Sequence, residues 1–320
     1  MLLERLGVKV PIVQAGMGGG LTSPELAASV SEAGGLGTLA LTPPAQLEAD
    51  LKRARELTAG PLAVNLLLPF ARRAHWEAAS AADLVVTYWG SPRRRTARPW
   101  LHQCGSVEEA LAARAAGADG VIVQGVEAGG HVRGTTPALT LLEQARAALP
   151  ADYPVLLAGG MANRDDVVRG LGAGATAVVL GTRFLMSEES AAHAEYKRRL
   201  LEGSDTVLTD LFGLGWPAAH RVLPNGATRH WLERRGSDRV PGWVHAVHSA
   251  MAPLSAYVPL GLQARMAGKA RPKSPMLGPM SPLTGSPESM LEAAPLYAGE
   301  SVARIGDIAP AARIMVELTP

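Results

Sequence analysis

The chain has 320 residues, 47% hydrophobic and 19% charged, with only 4% aromatic residues, which suits one large globular unit with an aliphatic core plus an appendage. A formal net charge of +2, with Lys and Arg scattered among Asp and Glu, gives no footprint for nucleic acid or an acidic membrane surface. A single cysteine, Cys104, excludes an internal disulfide, and no apolar run approaches the length of a membrane span or reads as a signal peptide, so the expected setting is cytoplasmic.

In chain order, short apolar runs alternate with longer Ala/Leu/Glu/Arg segments of helical spacing. The runs are Val10–Gln14, Leu36–Leu41, Leu62–Leu67, Asp83–Thr87, Trp100–Gln103, Gly120–Val123, Pro154–Leu157 and Ala177–Leu180. They lack polar alternation, as strands buried on both faces of a parallel sheet do. Between them stand helix signals. Ser23-Pro24-Glu25 opens one helix, which Gly34-Gly35 closes. Ser106 with Glu109 reads as a capping box, and Asn163 starts another helix. Pro92 and Pro99, with Arg93-Arg94-Arg95 between them, leave little room for a fourth helix.

Eight βα units in series predict an α/β fold, a TIM (β/α)8 barrel, with a doubly wound open sheet as the alternative. Past Arg183 the rhythm changes. Glu188–Leu201 suits a helix, and Lys269–Pro287 an extended loop. The organisation expected is a barrel over 1–203, a C-terminal cap or insertion over the barrel mouth at 204–294, and a segment at 295–320 returning to the barrel through a helix at Pro295–Ile305.

In such a barrel the site lies at the C-terminal strand ends. The first strand ends in Gln14-Ala15-Gly16-Met17, the third near Asn65, the fifth in His102-Gln103 and the sixth in Gln124. Gly159-Gly160 and Gly181-Thr182 follow the seventh and eighth strands, the usual phosphate position, where glycine lets backbone N–H groups approach an anion. One phosphate monoester fits FMN or a sugar phosphate better than a dinucleotide. Tight βα turns alone would also use these glycines.

His131 follows Gly129-Gly130 just past the sixth strand, and imidazole there is a candidate general base. His75, His193, His220, His230, His245 and His248 read as packed or surface residues, and His102 as intermediate because it ends a strand. Arg133 is a candidate anion holder that a solvated loop explains equally well. No Rossmann fingerprint, GxSxG elbow or metal-ligand cluster is present in the sequence.

The segments QAGM (14–17), AVNLLL (63–68), VQGVEAGGH (123–131), LLAGGM (156–161) and LGTRFL (180–185) closely resemble the nitronate monooxygenase family from about Val10 to Ser190. Tyr297-Ala298-Gly299-Glu300-Ser301 resembles the start of that family's C-terminal helix. The resemblance implies noncovalent FMN. Gly16 and Met17 would lie against the isoalloxazine, with Ala15 beside them, while Asn65, Gln103 and Gln124 would bond the flavin or its ribityl chain. Gly159, Gly160, Gly181 and Thr182 would bind the phosphate. Gly129 and Gly130 join the flavin-binding set, and His131 would act at the ring as base or anion stabiliser. No metal is implied.

The implied reaction is oxidation of an alkyl nitronate, or a similar carbanionic small molecule, with O2. FMN-dependent enoyl-acyl-carrier-protein reductases share the EAGGH-type loop, so NAD(P)H-driven reduction is the alternative, followed by a pathway-specific flavin oxidase. A flavin- or partner-binding barrel without turnover is a further rival, and oligomeric state stays open. Gln103 stands where many relatives carry Lys, and Gln124 where some carry an acid. The segment from Thr209 to Trp231 is unusually rich in Trp and His, which bears on the substrate more than on the cofactor.

Overall fold

A computed structural model describes residues 2–255 and 265–320, with the side chains of 253–255 outside the description. Part of the expected cap, residues 256–264, therefore lies outside the described residues.

Eight parallel strands form one sheet: β1 (Ile12–Gln14), β2 (Gly37–Ala40), β3 (Leu62–Leu67), β4 (Leu84–Tyr88), β5 (Trp100–Cys104), β6 (Gly120–Gln124), β8 (Val155–Ala158) and β9 (Ala177–Leu180). Each pairs with its neighbours in chain order, and β1 pairs with β9. A parallel bridge between Val13 and Leu36 joins β1 to β2 and closes the ring. This is a TIM barrel. The eight apolar runs of the sequence are its eight strands.

Strand alternation sorts the side chains into two layers. Val13, Ala63, Val86, Leu101, Ile122, Leu156 and Val179 fill the barrel interior. Leu2, Leu3 and Val8, in and just after helix α1 (Leu2–Arg5), pack into the same cluster. Ile12, Trp100, Cys104, Val121, Val123, Leu157 and Val178 face outward against the helices. That outer layer includes Leu26 and Val30 of α2 (Pro24–Glu32) and Ala110 and Ala113 of the helix Val107–Ala115.

The three N-caps read from sequence form, but the Ser106–Glu109 box is not reciprocal, since Glu109 Oε2 accepts from the Gly105 N–H at 2.8 Å. Ser23 Oγ accepts from the Leu26 N–H at 3.0 Å, Ser106 Oγ from Glu109 at 3.3 Å, and Asn163 Oδ1 from Asp166 at 3.0 Å. No helix joins β4 to β5, in keeping with the two prolines there.

Beyond β9 the observed elements depart from the expected ones. The helix expected over Glu188–Leu201 covers only Ala194–Glu202; Lys197 Nζ ties the segment before it through the carbonyls of Ser187, Glu188 and Ser190. A three-stranded sheet of β10 (Val207–Thr209), β11 (His220–Val222) and β7 (Gly130–His131) crosses the barrel mouth. The stretch Pro295–Ile305 holds a 3-10 turn at Glu300–Arg304, and the regular helix comes later, at Ala311–Leu318. Ile314, Met315 and Leu318 give that later helix its apolar stripe, which docks on the outer barrel layer. Among the described residues no helix is long and apolar enough to cross a membrane, and no cluster of ligating side chains could hold a metal.

Candidate active site at the barrel mouth

Alternation also explains which residues reach the mouth. Ala15, Asn65, Tyr88, Gln103, Gln124 and Ala158 stand two residues beyond the interior positions Val13, Ala63, Val86, Leu101, Ile122 and Leu156. They therefore point the same way, one layer higher. His102 has the opposite parity. It is buried in the outer layer, where Nδ1 pairs with Thr87 Oγ1 at 2.7 Å and the ring sits 6.2 Å from Trp100.

The first strand end is crowded by design of its neighbours. A Cβ on Gly16 would meet Asn65 Cβ at 2.7 Å and the Leu39 carbonyl at 3.0 Å, so only glycine lets β1 approach β3 there. Asn65 donates through Nδ2 to the Gly16 carbonyl at 3.3 Å. Its Oδ1 and the nearby Thr38 Oγ1 are buried without a partner among the described residues. Met17 is fixed by its N–H donating to Thr22 Oγ1 at 3.0 Å. Gln103 is half-buried and engages the Tyr88 hydroxyl.

On the opposite side, Gly159 and Gly160 adopt φ of +108° and +71°, a turn that L side chains rarely make. It is braced from outside the barrel. Arg304 donates to both carboxylate oxygens of buried Asp166 at 2.6 Å and also to the Gly160 carbonyl. Asp166 in turn accepts from the Ala162 N–H at 2.8 Å. Gly181 and Thr182 open a short helix, Thr182–Leu185; Thr182 Oγ1 accepts from the Gly299 N–H at 3.0 Å, which leaves its own O–H free to donate. A cleft of about 490 Å3 adjoins this turn, lined by Glu127, Gly159, Gly160, Met161, Glu300 and Arg304 among others.

His131 sits in β7 at the mouth, with Gly129 leading in against Ala298 and Gly299. Its backbone carbonyl accepts from Gln124 Nε2 at 3.2 Å, and the Tyr88 hydroxyl, 3.4 Å from the same carbonyl, gives its one proton to Gln124 Oε1. Burial raises the Tyr88 phenol far above its ordinary value, so it stays a donor. The strand ends β4 and β6 thus hold the His131 backbone in place.

The His131 ring stacks on Trp216 with centroids 3.8 Å apart and planes 21° apart. His220 lies 5.4 Å away and Tyr297 5.5 Å away. The antiparallel register of β7 and β11 pairs His131 directly with His220. The His220 tautomer follows from its partners: Nε2 accepts from the Phe212 N–H at 3.2 Å, so Nδ1 carries the proton given to the Ala218 carbonyl at 2.8 Å. Burial pushes His220 down to about 4. Burial first, and the neighbouring His220 second, hold His131 well below 6.5 as well. The ring is therefore neutral near pH 7. Its Nε2 is buried with no partner among the described residues.

Arg133 does not stand free at the site. It pairs with Glu109 and lies over the Trp89 ring at 5.2 Å. The residues that sequence reasoning passed over are Tyr88, Trp216, His220 and Tyr297. The one available signal for Trp216 and His220 was the Trp- and His-rich stretch 209–231.

The barrel and its likenesses place the chain in the class of flavin-dependent oxidoreductases built on a TIM barrel. A family model for nitronate monooxygenase matches residues 1–103 and 99–320, and the chain belongs to the nitronate monooxygenase family. It is 31% identical over 266 residues to a probable nitronate monooxygenase of Bacillus subtilis, covering 66% of this chain and 76% of that one. FabK from Thermotoga maritima superposes with a TM-score of 0.77 at 27% identity, over 99% of this chain and 94% of that one. Nitroalkane oxidase from Streptomyces ansochromogenes gives 0.75 at 30% identity, over 99% and 98%.

Proposed function

We propose that the protein oxidises alkyl nitronates, or a similar carbanionic substrate, with O2 on bound FMN, and that His131 serves as a neutral base where the substrate arrives as the nitroalkane and as an anion stabiliser once the nitronate is formed. The observation that carries the role of His131 is its Nε2, buried and unpartnered at the barrel mouth.

The residues present suit a flavin mononucleotide. Gly16 lets the end of β1 pack directly on Asn65 and Leu39, which sets the Asn65 side chain at the mouth where a ring would lie. The orphan Asn65 Oδ1 and Thr38 Oγ1 ask for donors such as ring N–H or ribityl hydroxyls. The Gly159-Gly160 turn and the Thr182 hydroxyl suit one phosphate. Ala15, Met17, Gln103, Gln124, Gly129, Gly130 and Gly181 complete the proposed contact set. When bound, the flavin takes electrons from the substrate carbon and passes them to O2.

The chain's own part is to bind, orient and move a proton. A neutral His131 Nε2 removes the proton next to a nitro group, and the imidazolium it becomes then pairs with the anion it has made. His220 cannot take that proton instead, because both its nitrogens are engaged. The Tyr88–Gln124 pair fixes the His131 backbone, which keeps the ring in register with the mouth. Trp216 over the ring excludes water.

A second reading, NAD(P)H-driven reduction of an enoyl thioester, is favoured by the FabK likeness across nearly the whole chain. Anaerobic photometry of the flavin-loaded protein separates the two. Bleaching by ethylnitronate but not by NADH or NADPH is the expected result. Bleaching by a nicotinamide with none by nitronate overturns the oxidase reading.

A further inference from the structure

Trp89 is the one non-glycine residue with positive φ among the described residues, at +60°. It directly follows β4, at the barrel mouth. A bulky aromatic is an uncommon occupant of the left-handed region, and such backbone is retained where the surroundings hold it. What holds it is a cluster of rings from separate segments. Trp89 meets Trp216 edge-to-face at 5.2 Å and Tyr88 at 5.6 Å. Phe70, from the loop after β3, meets the same Trp216 at 5.2 Å. Trp216 in turn stacks on His131. One indole thus touches the candidate base, Phe70 and Trp89.

The cluster contains unmet polar demand. The Trp89 indole N–H is buried and has no partner among the described residues, as is true of His131 Nε2. Buried donors without partners are rare in folded proteins and ask for an acceptor. The neighbouring Arg133 guanidinium cannot supply one, since it too only donates; it covers the face of the Trp89 ring and is anchored by Glu109. None of the described residues supplies that acceptor, which leaves the indole N–H available to a ligand oxygen. The other groups against the Trp89 ring are the aromatic rings of Trp216 and Tyr88, and flat rings pack best against other flat groups in stacked or edge-on geometry.

We propose that Trp89 is a substrate-binding residue, its indole N–H donating to an oxygen of the bound nitro or nitronate group, and that Trp216 and Phe70 form a wall selecting substrates with an aromatic or other flat apolar substituent on the reacting carbon. The proposal rests on the proposed carbanion oxidase reading and names the substrate class within it. Trp89 sets binding and Trp216 sets the preference for the substituent.

The test uses the flavin-loaded full chain and carboxylates as nitronate-shaped probes, benzoate and propionate, titrated by the change they cause in the visible flavin band. The wild type is expected to bind benzoate about tenfold or more tightly than propionate. Trp89→Phe, which keeps a ring but removes the N–H, weakens both probes about five- to tenfold and leaves the ratio intact. Trp89→His, which restores a ring N–H, recovers most of that loss. Trp216→Leu brings the ratio to within about threefold. Flavin content and circular dichroism show that each variant is folded and loaded. The proposal is overturned if wild type shows no preference, or if Trp89→Phe binds both probes as wild type does. Probe behaviour as expected without turnover of any nitroalkane removes the oxidase reading and leaves the subsite standing. Turnover of nitroalkanes with probe binding indifferent to Trp89 does the reverse.

Discussion

The two sides of the barrel mouth are built by different means. On the β8–β9 side the chain reaches the site with bare backbone: Gly159 and Gly160 at positive φ, then Gly181, with Asp166 and Arg304 bracing from behind. On the cap side it reaches the site with side chains, as His131, Trp216, His220 and Tyr297 converge from distant segments. The first side suits a ligand that is always the same, because backbone N–H groups bind an anion without regard to the rest of it. The second suits recognition of one particular substrate, because side chains present shape and polarity that bare backbone does not.

The sharpest way to break this division is at His131. His131→Asn should lower kcat/KM for a neutral nitroalkane by about 10²- to 10⁴-fold, the usual worth of a positioned base. The same variant should lose less than about tenfold on a preformed nitronate, which needs no deprotonation. Equal losses on both substrates would show that His131 holds an anion and removes no proton. The pH dependence carries the same information. Because burial holds His131 below 6.5, the wild-type kcat/KM for a nitroalkane should stay level as pH falls through 6.5. A fall centred at 6.5 would mean an ordinary exposed imidazole.

On the backbone side smaller effects are expected, and they should appear in flavin affinity. Gly160→Val puts a β-branched residue at φ +71° and should weaken flavin binding about ten- to a hundredfold, with kcat retained at saturating flavin. Arg304→Met removes the brace on the Gly160 carbonyl and should cost about threefold, since Asp166 keeps Arg169 and the Ala162 N–H. Flavin dissociation measured by fluorescence recovery checks both. If either change alters the benzoate-to-propionate ratio instead, the two sides of the mouth are not separable.

The same contrast explains what could be read from the sequence. The barrel repeats one local rule, an apolar run and then a capped helix, so all eight strands and the caps at Ser23, Ser106 and Asn163 were legible. The strand-end residues followed, because parity ties Asn65 to Ala63 and Gln124 to Ile122. Beyond β9 no local period links distant partners. His220 meets His131 only through an antiparallel register between segments almost ninety residues apart, and its ring contacts give no sequence signal. His102 read as intermediate because it ends a strand, and one step of strand parity turns it to the outer layer. The helix expected at Pro295–Ile305 gave way to a 3-10 turn because Gly299 packs against Gly129 while Glu300 donates its N–H to the Glu127 carbonyl.

His102 and His220 offer the smallest and most discriminating test, because one belongs to the barrel wall and the other to the cap. Burial lowers each to about 4 in the folded protein, against 6.5 for an unperturbed imidazole. Between those values the unfolded chain binds a proton that the folded chain refuses. Stability is therefore complete above pH 6.5 and declines as pH falls toward about 4, with a slope of at most about 1.4 kcal/mol per pH unit for each site. Urea unfolding at pH 7.5 and pH 5, followed by far-UV circular dichroism, measures the decline. His102→Gln and His220→Gln should each flatten it by one proton's share if barrel and cap unfold as one cooperative unit. Should His220→Gln flatten only an early transition and His102→Gln only a later one, the cap opens before the barrel. That outcome would fit a site whose barrel half holds its shape while its cap half opens locally.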